Sequence, residues 1–421
     1  MNSQKIKSVL KEVLKKINPS KEELGRINSE TQDFLKKVKE KIKGMRLDAE
    51  VFIGGSFAKK TIIKKGIYDV DIFVRFGKKS KDISGLTEKI LDGFNAVKIK
   101  GSRNYFRVDR DGFFMEIIPV LKIKKPESAE NVTDLSYFHV RYIKRKLKGK
   151  ILDEVKIAKA FCHANGCYGA ESYVKGFSGY ALELLIQHYG SFLKFIKALE
   201  KINRKEVIDI ERHFKNRNES LMNINESKIQ SPVVLIDPTY KERNVLAALS
   251  NETFEIFRKA CRKFLKNPSL EMFEKKDADF EKNKAVAKKK KLDFILVEIK
   301  TEKQEGDIAG TKLLKFYNHL NEEIEKFYII KNREFEYNGE KTAKCFFAVK
   351  SREKILIKGP RMNQKENIQR FKKTHRKTFV KSGRIFSKEK INFNLKQFIE
   401  FWKQKNQRKM NEMSVSGMEI Y

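Results

Sequence analysis

The segment Tyr68-Asp69-Val70-Asp71-Ile72-Phe73-Val74 places two acidic residues within an apolar run, shortly after Gly54-Gly55-Ser56. The run predicts a β-strand. Side chains alternate along a strand with a rise of about 3.3 Å per residue, so Asp69 and Asp71 project from the same face roughly 7 Å apart. Two carboxylates this close repel each other unless a cation lies between them. Mg²⁺ is the natural cation, since it binds through carboxylates and substrate phosphates.

A third acidic residue, Glu116, lies in the second apolar run Phe113-Phe114-Met115-Glu116-Ile117-Ile118-Pro119. This run also predicts a strand, which could lie beside the first. Three acids on neighbouring strands are typical of a two-metal phosphoryl-transfer site. Structural acids in salt bridges are the alternative interpretation of Asp-x-Asp. For Gly54-Gly55-Ser56, a simple tight turn is the alternative to an anion-binding turn.

The composition predicts a nucleic-acid partner. At 421 residues the chain is too long for one core, and we expect about three domains. Lys and Arg number 92 against 55 Asp and Glu, a formal net charge of +37, which predicts a polyanionic partner. A membrane surface is the competing polyanion, but the sequence shows no long apolar span, signal peptide or lipidation motif. We therefore expect nucleic acid and no membrane.

Cysteine usage fits a reducing cytoplasm, because four cysteines are too few for a disulfide framework in this length. Cys162-His163 with Cys167 could indicate a metal site, yet no second ligand pair stands at zinc-like spacing. Buried structural thiols are the favoured interpretation of Cys162, Cys167, Cys261 and Cys345.

Apolar periodicity predicts a multidomain α+β protein. A small α/β head with a mixed sheet should occupy residues 1–145, an all-helical domain residues 146–266, and an α+β body and tail residues 267–421. Ser20 and Glu23 have capping-box spacing. In the head we expect helices at 4–17, 20–43 and near 84–93, and strands at 50–54, 69–76 and 113–121.

Beyond the head, the clearest predicted helices of the middle domain span 154–165, 179–202 and 251–265, and Ser178 should cap the second of them. In the last domain we expect a strand at 293–300, a helix at 307–326 and a hairpin with its turn at Asn338-Gly339. Basic residues from Arg361 to Lys381, with Phe371 and His375 among them, suit contact with an RNA backbone. An amphipathic surface helix is the ordinary alternative there.

Gly55-Ser56-Phe57-Ala58-Lys59-Lys60-Thr61, continuing to the strand with Asp69 and Asp71, resembles the signature of the nucleotidyltransferase superfamily that includes polymerase β-like enzymes. Within it the chain most resembles the archaeal, class I CCA-adding enzymes, a family of tRNA nucleotidyltransferases. Further matching segments follow in order through the chain: Tyr137-Phe138-His139; Lys159 with Gly166-Cys167-Tyr168-Gly169; Lys175-Gly176-Phe177-Ser178-Gly179-Tyr180; Ile236-Asp237-Pro238; Arg243-Asn244-Val245; Gly359-Pro360; and Thr378-Phe379-Val380-Lys381-Ser382-Gly383-Arg384-Ile385.

The resemblance implies an enzyme that adds C, C and A in turn to the tRNA 3′ end from CTP and ATP, without a nucleic-acid template and with release of pyrophosphate. Asp69, Asp71 and Glu116 would be catalytic and hold two Mg²⁺ ions, although the family usually has Asp where Glu116 stands. A cytoplasmic homodimer that contacts the acceptor and T arms of tRNA is also implied. The implied nucleotide-binding residues are Ser56, Lys59, His139, Lys159, Tyr168 and Arg243, of which Arg243 would read the incoming base.

Several of these residues have an ordinary structural alternative. Lys59 could be a solvated surface lysine, His139 a structural histidine, and Asp237 with Arg243 a loop ion pair. For the whole chain, the alternatives are another untemplated RNA nucleotidyltransferase, such as a poly(A) polymerase, and a non-catalytic basic RNA-binding protein.

Overall fold

The computed structural model describes residues 2–64, 66–78, 80–101, 103–275, 279–375 and 377–421. The chain divides into two compact units, residues 1–275 and 276–421. The finer three-part division remains a prediction. Within the described ranges, no helix combines the length and the apolar character needed to cross a bilayer.

Two helices begin the first unit, α1 (Asn2–Ile17) and α2 (Lys21–Gly44), as predicted. The capping box is confirmed: Glu23 N donates to Ser20 Oγ at 3.1 Å, and Ser20 N donates to Glu23 Oε2 at 2.8 Å. The apolar face of α2 is buried in the same core as the head sheet.

The head is a five-stranded mixed sheet in the order β1-β2-β5-β4-β3. Strand β2 pairs with β5 in parallel, and the other neighbouring strands are antiparallel. The predicted strands and the helix near residue 84 are confirmed, while β3 and β4 were not predicted. The elements are β1 (Ala49–Ile53), α3 (Gly55–Ala58), β2 (Tyr68–Phe76), α4 (Ile83–Ile90), β3 (Val97–Ile99), β4 (Tyr105–Arg110) and β5 (Phe113–Leu121).

The core of the head determines where its acids lie. Val70 and Ile72 on β2, and Met115 and Ile117 on β5, are fully buried on one face of the sheet. Because side chains alternate between the two faces, the residues between them project from the opposite face.

The rest of the first unit is mainly helical. Its helices are α5 (Ser136–Lys146), α6 (Ile151–Ala164), α7 (Gly179–Tyr189), α8 (Phe192–Glu200), α9 (Arg217–Met222) and α10 (Asn251–Lys266). Ser178 caps α7 as predicted, since its side chain accepts a hydrogen bond from Ala181 N. The single helix expected at 179–202 is instead two helices, because Gly190 ends α7 with a φ of 78° and Ser191 caps α8.

The expectation of an all-helical middle domain needs correction. A small sheet of β6 (Glu206–Ile208), β7 (Val233–Asp237) and β8 (Tyr240–Asn244) lies within it. Strand β7 is buried along its whole length, and its β-branched residues favour a strand over a helix. The flanking strands are too short to produce a clear pattern in the sequence.

The second unit contains an antiparallel sheet in the order β10-β11-β9-β15 and a smaller sheet in the order β12-β14-β13. The strand at 293–300, the helix beginning at 307 and the hairpin around Asn338-Gly339 are confirmed. The elements are α11 (Phe280–Lys289), β9 (Asp293–Lys300), α12 (Asp307–Glu325), β10 (Tyr328–Tyr337), β11 (Thr342–Ser351), β12 (Ile355–Arg361), α13 (Lys365–Thr374), β13 (Thr378–Lys381), β14 (Arg384–Glu389), α14 (Leu395–Lys405), α15 (Gln407–Glu412) and β15 (Gly417–Ile420).

All four cysteines are buried free thiols, as predicted. Burial raises the pKa of the Cys167 thiol to about 12, so it stays protonated. These residues therefore pack as small apolar side chains.

Candidate active site

The glycine turn after β1 is pressed against β2. Gly54 N donates a hydrogen bond to Asp71 O at 2.8 Å. Gly55 has a φ of 56°, and a Cβ added there would overlap the carboxylate of Asp71. A Cβ on Gly54 would overlap the ring of Phe73 in the same way. Both positions therefore require glycine so that the turn can approach the acidic strand.

The three predicted acids share one face of the head sheet. Asp71 on β2 is in register with Glu116 on the parallel strand β5, and Asp69 lies two residues before Asp71. All three are half-buried. The structure therefore brings together the strands and the face that the sequence predicted.

A cavity of about 180 Å³ opens beside the glycine turn. Two of the three acids and four of the six predicted nucleotide-binding residues line it, whereas His139 and Arg243 do not. Glu116 is not among the lining residues. The predicted residues that line the cavity are Ser56, Lys59, Asp69, Asp71, Lys159 and Tyr168, together with Thr61, His163 and Gly179.

Both lysines of this cavity are held by a buried carboxylate, Glu183 on α7. Lys59 Nζ lies 2.7 Å from Glu183 Oε2, and Lys159 Nζ lies 3.2 Å from Glu183 Oε1. The Lys59 side chain is only 9 % exposed, so the surface-lysine alternative is wrong. Burial alone would raise the pKa of Glu183, but the charges of Lys59 and Lys159 hold it below its ordinary value. Glu183 is therefore ionised at neutral pH.

Thr61 completes this polar cluster. Its hydroxyl donates to Glu183 Oε1 at 2.8 Å and accepts from Lys159 Nζ at 2.7 Å. The Thr61 side chain is buried and thus links the head to helices α6 and α7 of the same unit.

Tyr168 lies at the cavity as a neutral phenol. Burial raises its pKa well above the usual range, and the nearby charge of Asp69 adds to the effect. Its hydroxyl can therefore both donate and accept a hydrogen bond at any physiological pH.

A second cluster forms around Asp237, which is fully buried. His139 Nε2 lies 3.0 Å from Asp237 Oδ2, and Arg243 donates to the same oxygen at 2.6 Å. Tyr180 Oη donates to Asp237 Oδ1 at 3.1 Å. The ion pair between Asp237 and Arg243 therefore exists, and the Arg243 side chain remains 26 % exposed.

The protonation states in this cluster follow from burial. Burial lowers the pKa of His139 despite its bond to Asp237, so the ring is neutral at neutral pH. Burial would raise the pKa of Asp237, but the hydrogen bond from His139 and the charge of Arg243 hold it well below its usual range.

Tyr180 connects the two clusters. Its ring stacks on His139 with centroids 4.1 Å apart, and Lys59 Nζ lies 5.9 Å from the Tyr180 centroid. The ring of Tyr180 thus lies between Lys59, which lines the cavity, and the polar cluster around Asp237. An elongated ligand with a charged end and a polar, planar end would match this order of groups.

The donor set fits a divalent cation that a substrate helps to bind. Among the described residues, no three His, Cys, Asp or Glu side chains are grouped closely enough to hold a metal ion. Asp69 and Asp71 line one cavity together with two lysines, and oxygen ligands from two carboxylates plus substrate phosphates are what Mg²⁺ commonly uses.

Comparisons with known proteins identify the family of this chain. Residues 153–274 match the family model described as tRNA nucleotidyltransferase, second domain, and residues 4–178 match that of the Second Messenger Oligonucleotide or Dinucleotide Synthetase domain. The CCA-adding enzyme of Nanoarchaeum equitans is 34% identical over 80% of this chain and 83% of its own length. This chain belongs to the CCA-adding enzyme family. The resemblance inferred from its motifs is confirmed.

A second relative, the CCA-adding enzyme of Methanocaldococcus jannaschii, is 32% identical over 91% of this chain and 87% of its own length. Among solved structures, the RNA terminal uridylyl transferase Cid1 is similar in fold, with a TM-score of 0.51 and 13% identity over 66% of this chain and all of Cid1. A cytoplasmic RNA terminal U-transferase has a TM-score of 0.50 and 14% identity over 64% of this chain and 98% of its own. These likenesses concern the fold alone.

In this member of the CCA-adding enzyme family, sequence reasoning missed Glu183 and Thr61. Glu183 stands in an apolar helix, where an acidic residue is a signal in itself, because a charge is buried only when it is paired. That signal could have drawn attention to Glu183, but the sequence could not identify Lys59 and Lys159 as its partners.

Proposed function

We propose that this chain adds C, C and A in turn to the 3′ end of tRNA from CTP and ATP, without a nucleic-acid template, and releases pyrophosphate. The observation that carries the proposal is identity of 34% to a CCA-adding enzyme over about four fifths of both chains. The cavity that joins two aspartates to two lysines supplies the matching chemistry.

Asp69 and Asp71, with Glu116 across the strand pair, would hold divalent ions, and we infer two Mg²⁺. When bound, Mg²⁺ would lower the pKa of the tRNA 3′-hydroxyl and neutralise charge on the triphosphate. Because Gly55 lacks a side chain, the turn can pack against Asp71 and so hold β2 beside the residues assigned to the phosphates.

The phosphate chain is assigned to Ser56, Lys59, Lys159 and Tyr168. The two ammonium groups attract the triphosphate and remain to stabilise the leaving pyrophosphate. The hydroxyls of Ser56 and Tyr168 donate hydrogen bonds to phosphate oxygens. Because the lysines are largely buried, their attraction for the phosphates is screened less by water than at an open surface.

The incoming base is assigned to the cluster around Asp237. Arg243 presents directed N–H donors that suit the ring nitrogen and carbonyl acceptors of C and A, and Asp237 fixes the guanidinium by the 2.6 Å ion pair. His139 stacks on Tyr180 and bonds to Asp237, and would thereby help to hold the Asp237 carboxylate in place.

The tRNA body is assigned to the basic surface of the second unit. Helix α13 carries Arg370, Lys372 and Lys373 on its exposed side and precedes β13. Lysine and arginine side chains there suit the phosphates of the acceptor and T arms. We further propose that the chain forms a homodimer and acts on tRNA in the cytoplasm.

The test is incubation of the purified chain with tRNA that lacks its CCA end, Mg²⁺ and each nucleotide separately and together. The proposal predicts two C additions with CTP alone and a further A when ATP is added. Long A tails would instead identify a poly(A) polymerase, and incorporation from UTP a uridylyl transferase. Absence of transfer with all four nucleotides would leave only RNA binding.

A further inference from the structure

Glu183 does not line the cavity, and yet its carboxylate contacts three side chains that do. Its side chain is fully buried. Its two oxygens receive Lys59, Lys159 and Thr61 at 2.7, 3.2 and 2.8 Å. Those three side chains come from the head and from α6, and all three line the cavity. One carboxylate on α7 therefore determines where two cationic groups stand.

We propose that Glu183 is a positioning residue for the phosphate chain of the nucleoside triphosphate. It acts by fixing the ammonium groups of Lys59 and Lys159, and the Thr61 hydroxyl bridges Glu183 and Lys159. The inference rests on the proposed function and deepens it. A lysine side chain has four rotatable carbon–carbon bonds and no planar group to orient it. A buried partner at hydrogen-bond distance removes this freedom before the nucleotide arrives.

Charge balance supports the same role. Two buried ammonium groups would repel each other and lose hydration, and the ionised carboxylate offsets both effects. Each ammonium has three N–H donors, and Lys159 directs its own to Glu183 Oε1, Thr61 Oγ1 and Thr61 O at 3.2, 2.7 and 3.3 Å. Lys159 would therefore act on the phosphates through its charge, held in place by these bonds. Replacement of Glu183 by glutamine keeps the shape of the side chain but turns one carboxylate oxygen into an amide NH₂ group. Its N–H donors would then face a lysine ammonium group or the Thr61 hydroxyl. At least one lysine must then move.

The test is steady-state transfer of CMP to tRNA lacking CCA, with rates expressed per folded molecule. For Glu183→Gln we expect kcat to fall about 10- to 100-fold, since a misplacement of about 1 Å at the reacting groups can cost about 10²-fold in rate. KM for CTP should stay within about twofold or fall, because the uncompensated lysine charges still attract the triphosphate. A merely structural role would reduce the folded fraction and leave kcat per folded molecule unchanged.

Thr61→Val provides the second variant, because it keeps the side-chain shape and removes only the bridging hydroxyl. It should lower kcat in the same direction by a smaller factor, and it decides the matter if Glu183→Gln does not fold. The matched control is Glu154→Gln: Glu154 on α6 is partly buried, accepts from Phe192 N at 2.8 Å, and does not line the cavity. Its kcat should equal that of the wild type.

Wild-type kcat per folded molecule in Thr61→Val and in folded Glu183→Gln would overturn the inference, as would losses confined to KM. Failure of the proposed function is a separate outcome, visible in the wild type as transfer of U or of A tails. In that case the same split between kcat and KM, measured with the nucleotide actually used, still decides the role of Glu183.

Discussion

Asp71 on β2 lies directly opposite Glu116 on the parallel strand β5. Neighbours in register on adjacent strands project to the same side of a sheet, so the two carboxylates, with Asp69, form one acidic face. The opposite face of the same strands is the fully buried core of the head. The alternation of side chains along β2 and β5 therefore places the apolar residues in the core and the acids on the opposite face of the sheet.

Replacement of Asp71 by asparagine should abolish transfer and leave tRNA binding nearly intact. The variant keeps the size of the side chain but removes the charge that a divalent ion needs, so we expect the rate to fall by at least about 10²-fold. Rates of CMP transfer and a tRNA-binding titration check this. Asp111→Asn is the control, because Asp111 is exposed and forms a surface ion pair with Arg26. Unchanged turnover in Asp71→Asn would exclude a metal role for Asp71.

Alanine at Gly55 should impair both folding and activity. The backbone there has a φ of 56°, which costs a non-glycine residue about 1–2 kcal/mol, and the new Cβ would displace the Asp71 carboxylate. Chemical denaturation and transfer rates measure the two effects. Gly66→Ala, where a Cβ would meet no atom within 4 Å, should be close to wild type. Equal behaviour of the two variants would contradict the close approach of the turn to Asp71.

Lysine in place of Arg243 should weaken nucleotide choice more than it weakens folding. The charge beside Asp237 is kept, while the planar set of N–H donors is lost, so discrimination of CTP and ATP against UTP and GTP should fall about tenfold. Competition between nucleotides in one reaction measures this ratio. Arg258→Lys is the control, since Arg258 pairs with Glu255 on α10. If Arg243→Lys keeps wild-type selectivity, Arg243 is only a structural ion-pair partner.

Stability should decline as the pH falls from 7 to 5, in part through His139. Burial lowers the pKa of His139 in the folded protein below the ordinary 6.5. Below that value the unfolded chain binds more protons than the folded one, so acid favours unfolding. Denaturation midpoints at several pH values should therefore show a shallower decline in His139→Gln. An identical pH dependence in the variant would contradict a neutral, buried His139.

Local signals account for what the sequence could predict. The capping box at Ser20 and Glu23, the strands at 69–76 and 113–121 and the Asn338-Gly339 turn all depend on residues close together in the chain. Their patterns need no knowledge of the tertiary structure. The family resemblance then predicted which of these elements carry the site.

Contacts between residues far apart in the chain account for what the sequence could not predict. Lys59 and Glu183 are 124 positions apart, and no local pattern joins them. The short strands β6 and β8 contain too few residues to show a period, and Gly190 interrupts a run that otherwise reads as one helix. In each case the deciding contacts form only after the chain has folded.

The most direct test of the central claim is a crystal structure of the chain with Mg²⁺ and CTP. The account predicts a divalent ion coordinated by Asp69 and Asp71, with the triphosphate against Lys59 and Lys159 in the same cavity. A triphosphate bound elsewhere, with no ion at the two aspartates, would contradict it.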